Sequence, residues 1–157
     1  VLAMPAQREL LAQRIRAMRL LPERLKQAAL GALERLPAGG ALCHGDFHPG
    51  NLLLARNGPV VIDWENATSG DPAADVARTL LLLRYAHFSQ SRGVARAAMR
   101  AAVALFGVAY LQHYRRLTGV SPAQIAAWQL PVAAVRLSEG VAAEEERALL
   151  RSVAHLC

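Results

Sequence analysis

Residues 41–77, ALCHGDFHPGNLLLARNGPVVIDWENATSGDPAADVA, carry most of what the chain says about its fold. Ala41–Cys43, Leu52–Ala55 and Val60–Asp63 are short apolar runs between turn residues, which predicts strands too short to be helices. Arg56-Asn57-Gly58 between the last two is a hairpin signal, because Asn and Gly tolerate the positive φ such loops need. Glu65–Gly70 is polar and ends on glycine. Asp71-Pro72 then opens a helix, with Asp as the N-cap and Pro at the first helical position. Asp46, Asn51 and Asp63 fall at strand ends or in the loop between strands, where a rigid scaffold can present side chains to a ligand.

Asn51 offers an amide oxygen and Asp63 a carboxylate, the ligand chemistry that a hard cation such as Mg²⁺ requires. Whether they can share one ion depends on register. A three-residue loop at 56–58 pairs 55 with 59 and sets Asn51 opposite Asp63, with Gly58 left-handed in a bulge. A two-residue loop at Asn57-Gly58 slips the register by one, sets Asn51 opposite Trp64 and turns the two candidates to opposite faces. The shared ion therefore requires the three-residue loop.

Outward from this stretch the pattern is helical. Leu10, Leu11, Ile15 and Met18 recur at three- and four-residue steps within 5–19, as do Leu25, Ala29, Ala32 and Leu36 within 22–36. Pro37, Gly39 and Gly40 stop the second helix. Residues 72–86 carry Val76, Ala77, Leu80, Leu81 and Leu83 around most of their girth, which predicts a core helix. Further helices are expected over 92–117, from Ser121 onward with a kink or split at Pro131, and over 142–155, where Glu144, Glu145 and Glu146 suit a helix start. The fold class is mainly α, an α+β unit holding one small β-hairpin, in a single domain over 1–157.

Composition agrees with a globular domain. Hydrophobic residues make up 54% of 157 and charged residues 19%, which excludes the disordered class. The longest uncharged apolar run, Ala101–Leu111, is about half of what a spanning helix needs, and no leader pattern opens the chain, so neither membrane nor secretion is expected. Cys43 and Cys157 read as free thiols in a reducing cytoplasm. The net charge of +6 invites a nucleic-acid reading. Arginines supply 17 of the 18 basic residues, and they are scattered along helical stretches without interleaved aromatics, so no nucleic-acid partner is expected.

His44-Gly45-Asp46, then Asn51, then Ile62-Asp63-Trp64-Glu65, followed by Gly70-Asp71-Pro72-Ala73-Ala74-Asp75-Val76-Ala77, resembles the aminoglycoside phosphotransferase and choline kinase group of the protein-kinase-like superfamily. The resemblance implies the helical C-terminal lobe of that fold, with the hairpin carrying the catalytic loop. It implies Asp46 as the catalytic aspartate, which takes the proton of an acceptor hydroxyl, and Asn51 with Asp63 as ligands of Mg²⁺ on the phosphates of ATP or another nucleoside triphosphate. It implies structural support from His44, packed beneath the loop, and from Asp75, which holds backbone N–H groups of that loop. His48 receives no role.

A kinase of this kind has an N-terminal lobe with a glycine-rich loop and a strand lysine over the nucleotide. The single lysine, Lys26, lies in a helical context, and no spaced glycine loop precedes it. The N-terminal lobe is thus absent from this chain, and a start at Val1 without Met fits a truncated or proteolysed protein. Such a fragment is expected to be inactive alone and, with the covered surface exposed, to self-associate. The implied activity is ATP-dependent phosphorylation of a small-molecule hydroxyl acceptor, aminoglycoside-like, amino-alcohol or sugar. Glu65, Glu139 and Glu144–Glu146 form a candidate acidic lining for a cationic acceptor. The alternative is a non-catalytic phosphotransferase-like protein that binds a ligand or partner. Retention of Asp46, Asn51 and Asp63 together argues against it.

Overall fold

In a computed structural model the described residues are 4–86 and 93–157. They form seven α-helices and two antiparallel strand pairs, in the order α1 (Gln7–Ala17), α2 (Glu23–Glu34), β1 (Ala41–Cys43), β2 (Leu52–Ala55), β3 (Gly58–Val61), β4 (Thr68–Gly70), α3 (Pro72–Arg84), α4 (Gly93–Thr118), α5 (Pro122–Ala127), α6 (Gln129–Arg136) and α7 (Ala143–Leu156). The mainly helical class read from the sequence is the one observed. Residue 92, where the fourth helix was expected to begin, lies outside the described residues.

The core is built by one stripe from each of several helices. Ile15, Leu25, Ala29 and Leu33 from α1 and α2 meet Val76 and Ala77 of α3, the apolar run Val132–Val135 of α6, and Leu149 and Val153 of α7. Burying each of the Val, Leu and Ile side chains contributes about 1.5–3 kcal/mol, and each alanine methyl less. Trp128, almost fully buried between α5 and α6, donates its indole N–H to Asp71 Oδ2 at 3.2 Å. The other oxygen of Asp71 caps α3 by accepting Ala73 N–H at 2.8 Å. One carboxylate thereby fixes the start of α3 against the C-terminal helices.

Two predicted breaks shift for physical reasons. The helix from Ser121 starts with the full capping box, in which Ser121 and Gln124 bond each other's backbone N–H. Its break falls at Trp128, ahead of Pro131. Pro131 then sits in the first turn of α6, where a backbone N–H has no intrahelical partner to lose. The hairpin loop also differs: Ala55 pairs with Gly58 and Leu52 with Val61, so the loop is the two residues Arg56-Asn57. Gly58 has the positive φ, at +115°, but as the first residue of β3 and not as a third loop residue.

A strand pair not anticipated from the sequence, β1 with β4, brackets the hairpin segment. Cys43 pairs with Thr68 and Ala41 with Gly70, which returns the chain to the start of α3. The N-terminal end of α1 locks this pair, because Ser69 N–H donates to Pro5 O at 3.0 Å and Asp71 N–H to Gln7 Oε1 at 3.0 Å.

α4 departs furthest from expectation. By length and composition it is apolar enough to cross a membrane, and only 6% of its most apolar window is buried. The uncharged run 101–111 understates it, since the whole helix continues to Thr118. Its Gly107 is buried against Leu83 of α3, while Val94, Leu105 and Leu117 are exposed.

Candidate active site

The loop from His44 to Asn51 leaves β1 and enters β2 through a 3-10 turn at Pro49–Asn51. Its shape is held from below by α3. Asp75, in the first turn of that helix, accepts His44 N–H at 2.9 Å through Oδ2 and Gly45 N–H at 2.7 Å through Oδ1. These are charge-assisted bonds, about twice as strong as neutral ones. One turn further along α3, Arg78 donates its Nε–H to the carbonyl of Gly45. Residues 44 and 45 are therefore gripped at two N–H groups and one carbonyl by a single helix.

Gly45 makes this possible. Its φ is +77°, and a Cβ there would lie 2.5 Å from the carbonyl oxygen of Asn66. Gly45→Ala is expected to lower stability by about 2 kcal/mol or more from backbone strain and steric overlap together. Urea unfolding measures it, and an unchanged midpoint would contradict the close approach.

His44 is buried and its tautomer is fixed by its partners. Its Nδ1 accepts Asp46 N–H at 3.1 Å, so the proton sits on Nε2, which donates to Ile62 O at 3.0 Å. The ring stacks at a tilt on Trp64, centroids 4.5 Å apart, and meets Phe47 edge-on. Phe47 in turn stacks on Tyr110 of α4 at 5.4 Å. Cys43, behind the loop, is buried; burial, then the carboxylates of Asp75 and Asp71, push its thiol up to about 12, so it stays protonated.

Asp46 projects from the loop with its carboxylate about a quarter exposed. The Asn51 Nδ2 amide donates to Asp46 O at 2.9 Å and Asp46 Oδ2 at 3.4 Å. His48 Nε2 lies 3.6 Å from Oδ2, and Arg78 Nη2 lies 3.9 Å from Oδ1. Asn51 is buried and Asp63 is exposed.

The register expectation for these two is corrected. Asn51 stands opposite Ile62, whose N–H donates to Asn51 O at 3.0 Å, and not opposite Asp63. β3 ends at Val61, and Asp63 takes the left-handed region at φ +63°, so strand alternation does not decide where its side chain points. Asp63 instead directly follows the residue bonded to Asn51, which brings both to the same end of the ribbon. With Asn51 Nδ2 committed to Asp46, its carboxamide oxygen is the atom left for a cation.

Beside Asp46 opens a cavity of about 890 Å³, lined by Arg14, Arg78, Arg136, Glu139 and Glu146 among others. Of the five glutamates expected as an acidic lining for a cationic acceptor, Glu139 and Glu145 are taken up by arginines. Glu139 Oε2 accepts Arg78 Nη2 at 3.0 Å and Arg136 Nη1 at 2.8 Å, while Oε1 lies in ion-pair range of Arg78 Nη1 at 2.8 Å and Arg14 Nη1 at 3.6 Å without a formed hydrogen bond. Glu145 is buried on Arg136 Nε at 2.8 Å. Arg78 and its ion pair with Glu139 were not singled out in the sequence. The available signal was position, since Arg78 lies three residues after Asp75 on one helix face.

The family model described as the phosphotransferase enzyme family matches residues 3–120. The uncharacterized protein YcbJ of Bacillus subtilis (strain 168) is 44% identical over 41 residues, which are 25% of this chain and 13% of that protein. Among solved structures, amicoumacin kinase hAmiN in complex with AMP-PNP, Ca²⁺ and Ami superposes with a TM-score of 0.48 at 16% identity, over 98% of this chain and 46% of that one. The chain thus spans less than half the length of either protein. The matched segment takes in every candidate residue from His44 to Arg78 and well over half of the sequence, and on that ground this chain belongs to the phosphotransferase enzyme family.

Proposed function

We propose that this chain is the catalytic lobe of a small-molecule kinase that transfers the γ-phosphoryl group of ATP, or another nucleoside triphosphate, to a hydroxyl group of an aminoglycoside-like, amino-alcohol or sugar acceptor. The observation that carries the reading is the Asp46–Asn51 pair, mounted on a loop that Asp75 holds by two N–H groups. In this reading the acceptor hydroxyl gives its proton to Asp46 as its oxygen bonds to the γ-phosphorus. The bond from that phosphorus to the β–γ bridging oxygen breaks, and the nucleoside diphosphate leaves.

Asn51 and Asp63 fit a magnesium ion by donor chemistry, one carboxamide and one carboxylate oxygen. No group of three or more His, Cys, Asp or Glu side chains among the described residues encloses a metal outright. Two protein oxygens completed by phosphate oxygens is the coordination Mg²⁺ favours in kinases. When bound, the ion supplies neutralisation of charge on the phosphates. The chain's own part is positioning: Asn51 orients Asp46 through Nδ2, Arg78 braces the loop, and the cavity beside them receives the acceptor. The grip on the α- and β-phosphates belongs in this reading to an N-terminal lobe, because Lys26 lies on α2, which packs against α1 and α6.

The test is a divalent-dependent screen of hydroxyl acceptors with the longest natural protein that contains this chain, read as nucleoside diphosphate release and by ³¹P resonances of the product. Asp63→Asn is expected to raise the half-saturating Mg²⁺ concentration by about tenfold or more, since it removes the one protein carboxylate of the ion site in this reading, and loss even of an outer partner of a metal ligand costs about tenfold. Turnover by the variant at wild-type Mg²⁺ dependence would remove Asp63 from the ion site. Binding of acceptors without any phosphoryl transfer would favour a ligand-binding role.

A further inference from the structure

We propose that His48 is a positioning residue that holds the Asp46 carboxylate and thereby selects which of its oxygens meets the acceptor hydroxyl; this rests on the phosphoryl-transfer reading above. The two histidines of the loop repeat one local arrangement. His44 Nδ1 accepts the N–H two residues ahead, that of Asp46, at 3.1 Å. His48 Nδ1 likewise accepts the N–H of Gly50, at 3.1 Å, and caps the 3-10 turn at Pro49–Asn51.

Each bond fixes a tautomer, because a ring nitrogen that accepts carries no proton and the other nitrogen must. His44 spends its Nε2–H inward on Ile62 O. His48 presents its Nε2 towards Asp46 Oδ2 at 3.6 Å, too long for a formed hydrogen bond but within the range that tightens when a site closes on substrate. Residue 50 keeps the ring there, since a Cβ on Gly50 would lie 2.9 Å from His48 Cε1 and 3.0 Å from Nδ1. The glycine is needed for the histidine's seat.

The groups around the carboxylate divide unequally. Oδ2 faces two donors, Asn51 Nδ2 at 3.4 Å and His48 Nε2. Oδ1 has Arg78 Nη2 at 3.9 Å, and that guanidinium is committed to Glu139 and the Gly45 carbonyl. Oδ1 is therefore the oxygen left with a lone pair for the acceptor hydroxyl, and His48 with Asn51 keeps the carboxylate from rotating Oδ2 into its place.

Two substitutions separate this role from capping. Asparagine can accept Gly50 N–H as histidine Nδ1 does, but it is too short to reach Asp46. Glutamine carries its amide nitrogen about where Nε2 stands. His48→Asn is expected to keep the thermal midpoint and to lower kcat by about tenfold, with both KM values within about twofold. His48→Gln is expected to recover most of that loss. Wild-type kcat in His48→Asn, or losses in both variants that track their midpoints, would overturn the proposal.

Spectroscopy decides it separately from turnover. A long-range ¹H–¹⁵N spectrum of the neutral ring is expected to show the proton on Nε2, and His48→Asn is expected to move the Asp46 ¹³Cγ resonance. A proton on Nδ1 or an unmoved ¹³Cγ overturns the role of His48. Absence of phosphoryl transfer to any acceptor, with both spectra as expected, overturns the kinase reading and leaves the contact in place.

Discussion

Asp46→Asn is expected to lower kcat by about 10²–10⁴-fold while leaving KM for the nucleotide close to the wild-type value. The carboxamide keeps the shape of the carboxylate, so Asn51 and the loop lose little geometry. It cannot take up the proton of the hydroxyl. The two further neighbours, His48 and Arg78, stand at 3.6 and 3.9 Å, and the carboxylate is partly exposed. Losing such contacts costs up to about 1 kcal/mol of stability. The variant should therefore unfold near the wild-type midpoint while turnover collapses. Product formation within tenfold of wild type at saturating acceptor would take Asp46 out of the reaction.

What the sequence made legible follows from range. Asp71 capping α3 and Ser121 capping α5 are bonds across two or three residues, and both helix starts were readable from residue type and the proline that follows; Gln124, which completes the box at Ser121, was not read. The ordered motif from His44 to Ala77 was readable for the same reason, since all its members lie within one stretch of loop, ribbon and helix start. The bonds that complete the site span much more chain. Arg78 meets Glu139 across 61 residues, and Trp128 meets Asp71 across 57. No local period announces either. β4, Thr-Ser-Gly, has no alternation of its own and exists because β1 and the start of α1 bond it. The ribbon register failed by one residue at a single dihedral choice, Gly58 pairing with Ala55 instead of standing in the loop. Asp63, left-handed and beyond the end of β3, falls outside the strand alternation on which that expectation was built.

Asp75→Ala should have the opposite profile to Asp46→Asn, with a large loss of stability and activity lost along with it. Among the described residues the carboxylate is the acceptor for both His44 and Gly45 N–H, and His44 is buried. Each bond to a charged acceptor contributes about 1.5–3 kcal/mol, and a buried N–H left without a partner costs a similar amount. The two losses overlap, so a total of about 3–5 kcal/mol is expected, or a thermal midpoint lower by about 6–20 °C for a domain of this size. Arg78 cannot compensate, because it offers only donors and is already bound to Gly45 O and Glu139. Asp75→Asn tests the account further: one amide oxygen can retain one N–H, but its NH₂ group then faces the other donor, so the variant should recover less than half of the loss. Equal midpoints for wild type and Asp75→Ala would mean that the loop is held by other contacts. Asp46 would then owe its position to Asn51 and His48 rather than to the helix beneath it.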